Sequence, residues 1–316
     1  MNANNTGILV AGTETLAGAA VAAEAGRRGI PCATLSAEGT AGWTDRGAIE
    51  AAIRAASPGV VVAAAGESGG IALNRAHPAR LMDSNLAVVR NLLGAAAALR
   101  VPRLVYLASS CCYPREAPQP LRPESLLAGP FEPTNAPYSA AKLAGVFYCA
   151  AVRAEFGLDW FAAVPSTLYG PEDHFDPENS HVVAGLMARM HAAKAAGAPS
   201  LSVWGTGRAR RDFLYSRDLA DACLFFAERW NPAEGGGIVH VGPDADLSIA
   251  EVAFAVRDAV GYAGELVFDA TKPDGAPLKR LDASALRALG WTPKTPFADG
   301  LRATYEAFLR RVAEKG

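Results

Sequence analysis

The sequence predicts an α/β fold: a doubly wound parallel sheet with a smaller mixed lobe at its C-terminal end. Three observations carry this. Short apolar runs alternate with helical patterns through residues 7–164. The first run ends in a glycine-bearing turn that opens directly into a helix. Beyond Pro171 the alternation gives way to polar loops and shorter elements. Strands that alternate with helices form βαβ units, and their right-handed crossovers place ligands at the carboxyl ends of the strands.

In chain order, residues 7–11 (GILVA) read as a buried strand and 16–28 as a small-residue helix ending near Gly29. Residues 31–35 form a second strand, 46–56 a helix, and 60–65 (VVVAAA) a third strand. Helical periodicity runs over 78–100 and stops before Pro102, and 104–108 is a fourth strand. Residues 138–156 are helical and 160–164 a strand. In the second half, Ser248 and Glu251 have the spacing of a capping box and open a helix over 248–262. The last helix covers roughly 297–314. Residues 1–170 are expected to form a dinucleotide-binding domain. Residues 171–316 are expected to form mainly a substrate lobe, with some segments returning to the main sheet.

Composition narrows the function classes. Half of the 316 residues are apolar and a fifth charged, enough for a sizeable core without a metal or disulfide staple. A net charge of −2 gives no electrostatic case for nucleic acid or an anionic membrane surface. The five cysteines (Cys32, Cys111, Cys112, Cys149 and Cys223) are odd in number, and no two form a CxxC pair. That fits a reducing compartment, and no zinc spacing is visible, so no metal is expected. MNANNTGILVAG has no basic region before its apolar run, and no segment is long and apolar enough to span a bilayer. A cytoplasmic protein is expected.

The turn after the first strand is Gly12-Thr13-Glu14-Thr15-Leu16-Ala17-Gly18. Glycines here let the backbone approach a pyrophosphate, and the following helix aims its N-terminal amides at it. This makes the sheet Rossmann-type. Two of the three glycines of GxxGxxG are present, with Thr15 at the middle one, where a β-branched residue is expected to resist a tight turn.

A second constellation follows the fourth strand. Ser109-Ser110 lies at its end, and Tyr138 and Lys142 are four residues apart, on one face of a helix. A phenol with a pKa near 10 exchanges protons poorly at neutral pH, and a neighbouring ammonium is expected to lower it. Ser109 can hydrogen-bond a substrate carbonyl beside it. The order of phosphate loop, Ser, then Tyr-x-x-x-Lys points to an NAD(P)-dependent oxidoreductase.

Longer strings are more specific. AAAGESGGIALNRAHPA (63–79), SSCCYP (109–114), FEPTNAPYSAAKLAG (131–145), PSTLYGPEDHFDPENSHV (165–182), VWGTGRARRDFL (203–214) and KPDGAPLKRLD (272–282) resemble the GDP-L-fucose synthase family of extended short-chain dehydrogenases/reductases. The resemblance covers nearly the whole chain. It implies a 3,5-epimerase/4-reductase acting on a GDP-linked 4-keto-6-deoxy-hexose, with NADP(H) as cofactor and a homodimer as assembly. It implies that Cys111 is the base and His181 the acid of epimerisation, while Tyr138 gives the proton at C4, Ser109 polarises the carbonyl and Lys142 supports the phenol and the cofactor ribose. It also implies that Ala64, Ala65, Leu107, Pro165, Thr167, Leu168 and His181 line the cofactor, and that Asp45 bonds the adenine. Arg189, Trp204, Arg211, Asp274 and Lys279 match its substrate contacts. Of the crowded Arg208, Arg210 and Arg211, at least one is expected to be a solvated charge.

Four positions depart from the pattern. Glu14 and Glu38 stand where basic residues pair with the 2′-phosphate of NADP, which favours NAD(H). Glu67 stands where a Lys is usual and Thr167 where an Asn is usual. These departures motivate an alternative, an NAD(H)-dependent epimerase or simple 4-ketoreductase on another nucleotide sugar. A non-catalytic nucleotide-binding protein on the same fold is disfavoured by the presence of Ser109, Tyr138 and Lys142.

Overall fold

The computed structural model describes residues 7–177, 180–272 and 274–315. The first six residues, part of the stretch read above as lacking a leader, lie outside it, as do parts of two quoted strings (178–179 and 273). The first half alternates as expected: β1 (Ile8–Ala11), α1 (Leu16–Arg27), β2 (Cys32–Leu35), α2 (Arg46–Ala56), β3 (Val60–Ala63), α3 (Ile71–Ala76), α4 (Pro78–Ala87), α5 (Gly94–Ala98), β4 (Arg103–Leu107), α6 (Ala136–Phe156) and β5 (Asp159–Pro165).

Two boundaries differ from the sequence reading for physical reasons. The third strand stops at Ala63, and Ala64 and Ala65 curve beneath the Gly12 turn. The helix read over 78–100 is interrupted by a π-helical segment, Val88–Leu93. The wider turn keeps Val88, Val89, Leu92 and Leu93 all buried in the core.

The second half continues with β6 (Thr167–Tyr169), α7 (Val182–Ala195), β7 (Ser200–Trp204), β8 (Arg210–Arg211), β9 (Phe213–Tyr215), α8 (Ser216–Arg229), α9 (Pro232–Gly235), β10 (Ile238–Val241), β11 (Leu247–Ser248), α10 (Ile249–Val260), β12 (Glu265–Asp269), β13 (Leu278–Lys279), α11 (Ser284–Ala288) and α12 (Phe297–Lys315). The capping box at Ser248 and Glu251 is formed in both directions.

The main sheet has the order β10-β5-β4-β3-β1-β2, and every neighbouring pair is parallel. The chain reverses direction of winding between β1 and β3. At such a switch point the loops after the strands diverge and leave a crevice for a ligand. One face of the sheet packs on α2, the helical run 78–98 and α6, in a core that includes Leu9, Ile49, Leu92, Tyr106 and Trp160. The other face packs on α1 and α8 around Val10, Val21, Phe161, Leu219 and Phe226. A third core, with Met187, Val203, Val252 and Tyr262, holds α7, α10 and the β7–β12 pair together. β10 lies more than seventy residues after β5 in the chain and pairs with it in the main sheet.

Candidate active site

The phosphate loop is built from close backbone contacts. Gly12 has φ +99, and a Cβ there would collide with the backbone of Ala65. A Cβ on Gly18 would overlap the Gly12 carbonyl oxygen. Thr15 corrects the sequence expectation. Its φ of −91 and ψ of 155 are extended, so no glycine is required there. It caps α1 by accepting from the Gly18 amide at 3.0 Å, and its hydroxyl bonds the Gly12 carbonyl at 2.8 Å. Thr13, Leu16 and Ala17 complete the turn into α1. The glycine cradle, with a capped helix start beside it, fits a dinucleotide pyrophosphate.

At the ribose end, Glu14 is exposed and accepts a 3.1 Å hydrogen bond from the buried Trp43 indole N–H. Glu38 is exposed in a short 3₁₀ turn after β2. Asp45 caps α2, accepting from the Ala48 amide at 2.9 Å, so this oxygen serves the helix.

Lys142, buried on α6, donates to the Leu107 carbonyl at 3.1 Å and the Ala65 carbonyl at 3.3 Å. Its charge lies 5.3 Å from the Tyr106 ring centroid. Burial pulls its pKa down to about 8. Tyr138 differs from the sequence expectation: burial, then the nearby Cys111, push its phenol above the ordinary range, against a hydrogen bond from Ser109 that lowers it. With its Nζ tied to two main-chain carbonyls, Lys142 does not draw the phenol toward phenolate. The phenol is therefore held as a proton donor.

A cleft of about 330 Å3 opens beside this group, lined among others by Cys111, His181, Thr167, Arg189, Trp204, Arg211, Asp274 and Lys279. Cys111 follows Ser109 in a 3₁₀ turn, and its amide bonds the Ser109 hydroxyl at 3.2 Å. Lys279 Nζ lies 3.6 Å from the Cys111 sulfur and Asn135 Nδ2 lies 3.2 Å from it. Burial would raise the thiol pKa, but the Lys279 charge, bonds from Ser109 and Lys279, and the Arg211 charge outweigh it and lower it. Cys112, one residue on, is buried and pushed up to about 12. Of the two adjacent thiols it is the less readily ionised.

His181 is the N-cap residue of α7, but its side chain makes no cap bond. Its Nδ1 instead lies 3.9 Å from the buried Asp173 carboxylate. Burial would lower the imidazole pKa, and Asp173 more than reverses this, holding it above the ordinary value. Thiol and imidazole are thus biased in opposite senses, toward thiolate and toward imidazolium.

Among the expected substrate contacts, Arg189 bonds the Ser202 carbonyl and Arg211 the Arg210 carbonyl. Arg210 is paired with Asp246 and Glu251, and Arg208 is exposed. Trp204 is 48% exposed at the end of β7. Asp274 accepts from the Thr206 amide and hydroxyl, each at 2.7 Å, which ties the 203–207 turn to the cleft wall. Glu67 pairs with Arg80 at 2.6 Å. Sequence reasoning missed Asn135 and Asp173. Both stood inside the quoted strings, but only the fold brings them to Cys111 and His181.

Residues 8–242 match the family described as the NAD dependent epimerase/dehydratase family. The chain belongs to that family. Its members are NAD(P)-dependent oxidoreductases and epimerases of the extended short-chain dehydrogenase/reductase type, and this chain is one of them. It is 40% identical to GDP-L-fucose synthase 1 of Arabidopsis thaliana over 315 residues, covering 100% of this chain and 97% of that one. Among solved structures, a GDP-6-OMe-4-keto-L-xylo-heptose reductase from Campylobacter jejuni superposes with a TM-score of 0.91 at 26% identity, covering 98% of this chain and 100% of that one. The GDP-mannoheptose C4 reductase of the same organism, solved with NADP bound, superposes with a TM-score of 0.87 at 26% identity, covering 98% and 100%.

Proposed function

We propose that this protein is a nucleotide-sugar 3,5-epimerase/4-reductase acting on a GDP-4-keto-6-deoxy-hexose, as in GDP-L-fucose synthesis. One observation carries the reading: a thiol biased toward thiolate and an imidazole biased toward imidazolium share a cleft beside Ser109 and Tyr138. A ketone at C4 acidifies the hydrogens at C3 and C5, because the electron pair left behind spreads onto the carbonyl oxygen. Cys111 removes such a proton and His181 returns one from the other face of the ring. The Ser109 hydroxyl donates to the carbonyl oxygen as negative charge builds on it. The nicotinamide cofactor supplies the hydride for reduction at C4. The Tyr138 phenol gives the C4 oxygen its proton, and the buried Lys142 keeps a positive charge beneath the reacting centre. Arg189, Arg211 and Lys279 take the diphosphate, where a planar guanidinium can bind two oxygens at once. Trp204 packs against the base or sugar.

Glu14 supports a second reading at one point, the cofactor. The family resemblance and the NADP-bound relative favour NADP(H). Two carboxylates at the ribose end, one fixed by Trp43, favour NAD(H), since they repel a 2′-phosphate and can accept from a free hydroxyl. We take the protein to have lost a strong NADPH preference. A simple 4-ketoreductase remains the alternative activity, and the Cys111–His181 pair favours the two-step enzyme. We place the protein in the cytoplasm, on its unpaired cysteines. We also read it as a homodimer through α4 and α6, which leave Met82 and Phe147 exposed; a monomer by light scattering at micromolar concentration would refute that.

The test mixes the protein with NADH or NADPH and a panel of GDP- and dTDP-4-keto-6-deoxy sugars in D₂O. Cofactor oxidation together with deuterium uptake at carbon is expected with the GDP sugar. Uptake without oxidation would mean an epimerase alone, and oxidation without uptake a reductase alone.

A further inference from the structure

Asn135 occupies the N-cap position of α6, where an asparagine side chain normally accepts from the free amides of the first turn. Here it makes no cap bond. Pro137, in the first turn, has no amide to offer, which lessens the need for one. The side chain turns instead toward the reacting thiol, with Nδ2 3.2 Å from Cys111 Sγ. Its direction is set from behind. The buried Ser139 hydroxyl shares its proton between two acceptors, the Asn135 main-chain carbonyl at 3.0 Å and Oδ1 at 3.3 Å. With Oδ1 turned to that hydroxyl, the NH₂ group faces the sulfur.

We propose that Asn135 is a positioning residue for Cys111: oriented by Ser139, its side-chain N–H donates to the sulfur, aims it into the cleft and favours the thiolate over the thiol. This rests on the reading of Cys111 as the epimerisation base. In that step the thiolate forms an S–H bond as the C–H bond breaks, and the C–H electron pair moves onto the C4 oxygen. The titratable and charged groups around the sulfur are Lys279, Arg211, Tyr138 and Cys112. Lys279 and Arg211 are also the expected diphosphate contacts, so a bound substrate shares their charge. The Asn135 amide carries no net charge for the diphosphate to draw on, and its N–H is directed at the sulfur. It can also yield as the thiolate becomes a thiol, since a hydrogen bond to the neutral sulfur is weaker.

The experiment measures alkylation of Cys111 by iodoacetamide against pH, in the full-length protein without added ligand, read by mass spectrometry of the peptide carrying it. Asn135→Asp keeps the shape and replaces the donor with a carboxylate. It is expected to move the alkylation midpoint to higher pH and slow the reaction at neutral pH on the order of tenfold. Ser139→Ala, which frees the amide to rotate, is expected to move the midpoint the same way by less. Midpoints unchanged in both variants would overturn the proposal, even if their melting temperatures fell, because a purely structural role moves stability without moving the midpoint. The underlying reading fails separately: Cys111→Ser that still took up deuterium at carbon would remove the base, whatever the alkylation showed.

Discussion

Replacing Lys142 by Met should make the protein more stable while removing its reductase activity. Lys142 is buried, and burial moves its pKa from 10.5 to about 8. At about 1.4 kcal/mol per pH unit, holding this ammonium charged in the fold costs roughly 3 kcal/mol at neutral pH. Its bonds to the Ala65 and Leu107 carbonyls return part of that in the side chain's favour, about 1 kcal/mol each. A methionine of similar length leaves those acceptors without this donor but removes the buried charge, for a net gain of about 1 kcal/mol, or ~2 °C in Tm. The sign has a pH signature. Below pH 8 the lysine is charged in both folded and unfolded chains and the penalty is complete. Between pH 8 and 10.5 the unfolded chain binds more protons, so the parent gains stability as pH rises and the variant does not. Scanning calorimetry across that window, paired with cofactor oxidation, is the assay. A variant less stable by several degrees, or one with the parent's pH slope, would refute the reasoning and make Lys142 a structural cation.

Other outcomes follow from the same geometry. Glu14→Arg removes the carboxylate held by Trp43 and should shift the kcat/KM ratio toward NADPH on the order of tenfold, measured with both reduced cofactors. Gly18→Ala forces a Cβ into the Gly12 carbonyl, should cost about 1–3 kcal/mol in a thermal melt, and should abolish dinucleotide binding by fluorescence titration. Asp173→Asn removes the group that raises the His181 pKa, so activity should fade at lower pH on the alkaline side and drop on the order of tenfold at neutral pH, checked by the pH profile of deuterium exchange.

The sheet was legible because each strand of the first half is a short apolar run closed by a turn, and each intervening helix has its own period. The second half was harder. α8 was not resolved in the sequence, although it shares one face of the main sheet with α1, because its helical pattern sits between strands of only two to four residues. The helix read over 78–100 concealed a π segment, since two adjacent buried pairs look the same in either helix. At the site, the motifs carried the residue types but not their partners. Thr15 looked like a defect in a glycine pattern, and it acts as the cap that closes the turn. Lys142 is expected from its spacing to act on its helical neighbour Tyr138, but two main-chain carbonyls, Ala65 just past β3 and Leu107 at the end of β4, claim its ammonium. Asn135 reaches Cys111 across 24 residues of chain, a contact that only tertiary packing creates.

In the proposed enzyme two separate chemistries share one cleft, proton exchange at carbon through Cys111 and reduction through Tyr138. Following deuterium uptake and cofactor oxidation together on the GDP-4-keto sugar, with Cys111→Ser and Tyr138→Phe, tests it most directly. The expected result is a split: Tyr138→Phe keeps carbon exchange and loses oxidation of cofactor, while Cys111→Ser loses exchange. Parallel loss of both signals in both variants, or exchange that survives in Cys111→Ser, would contradict it.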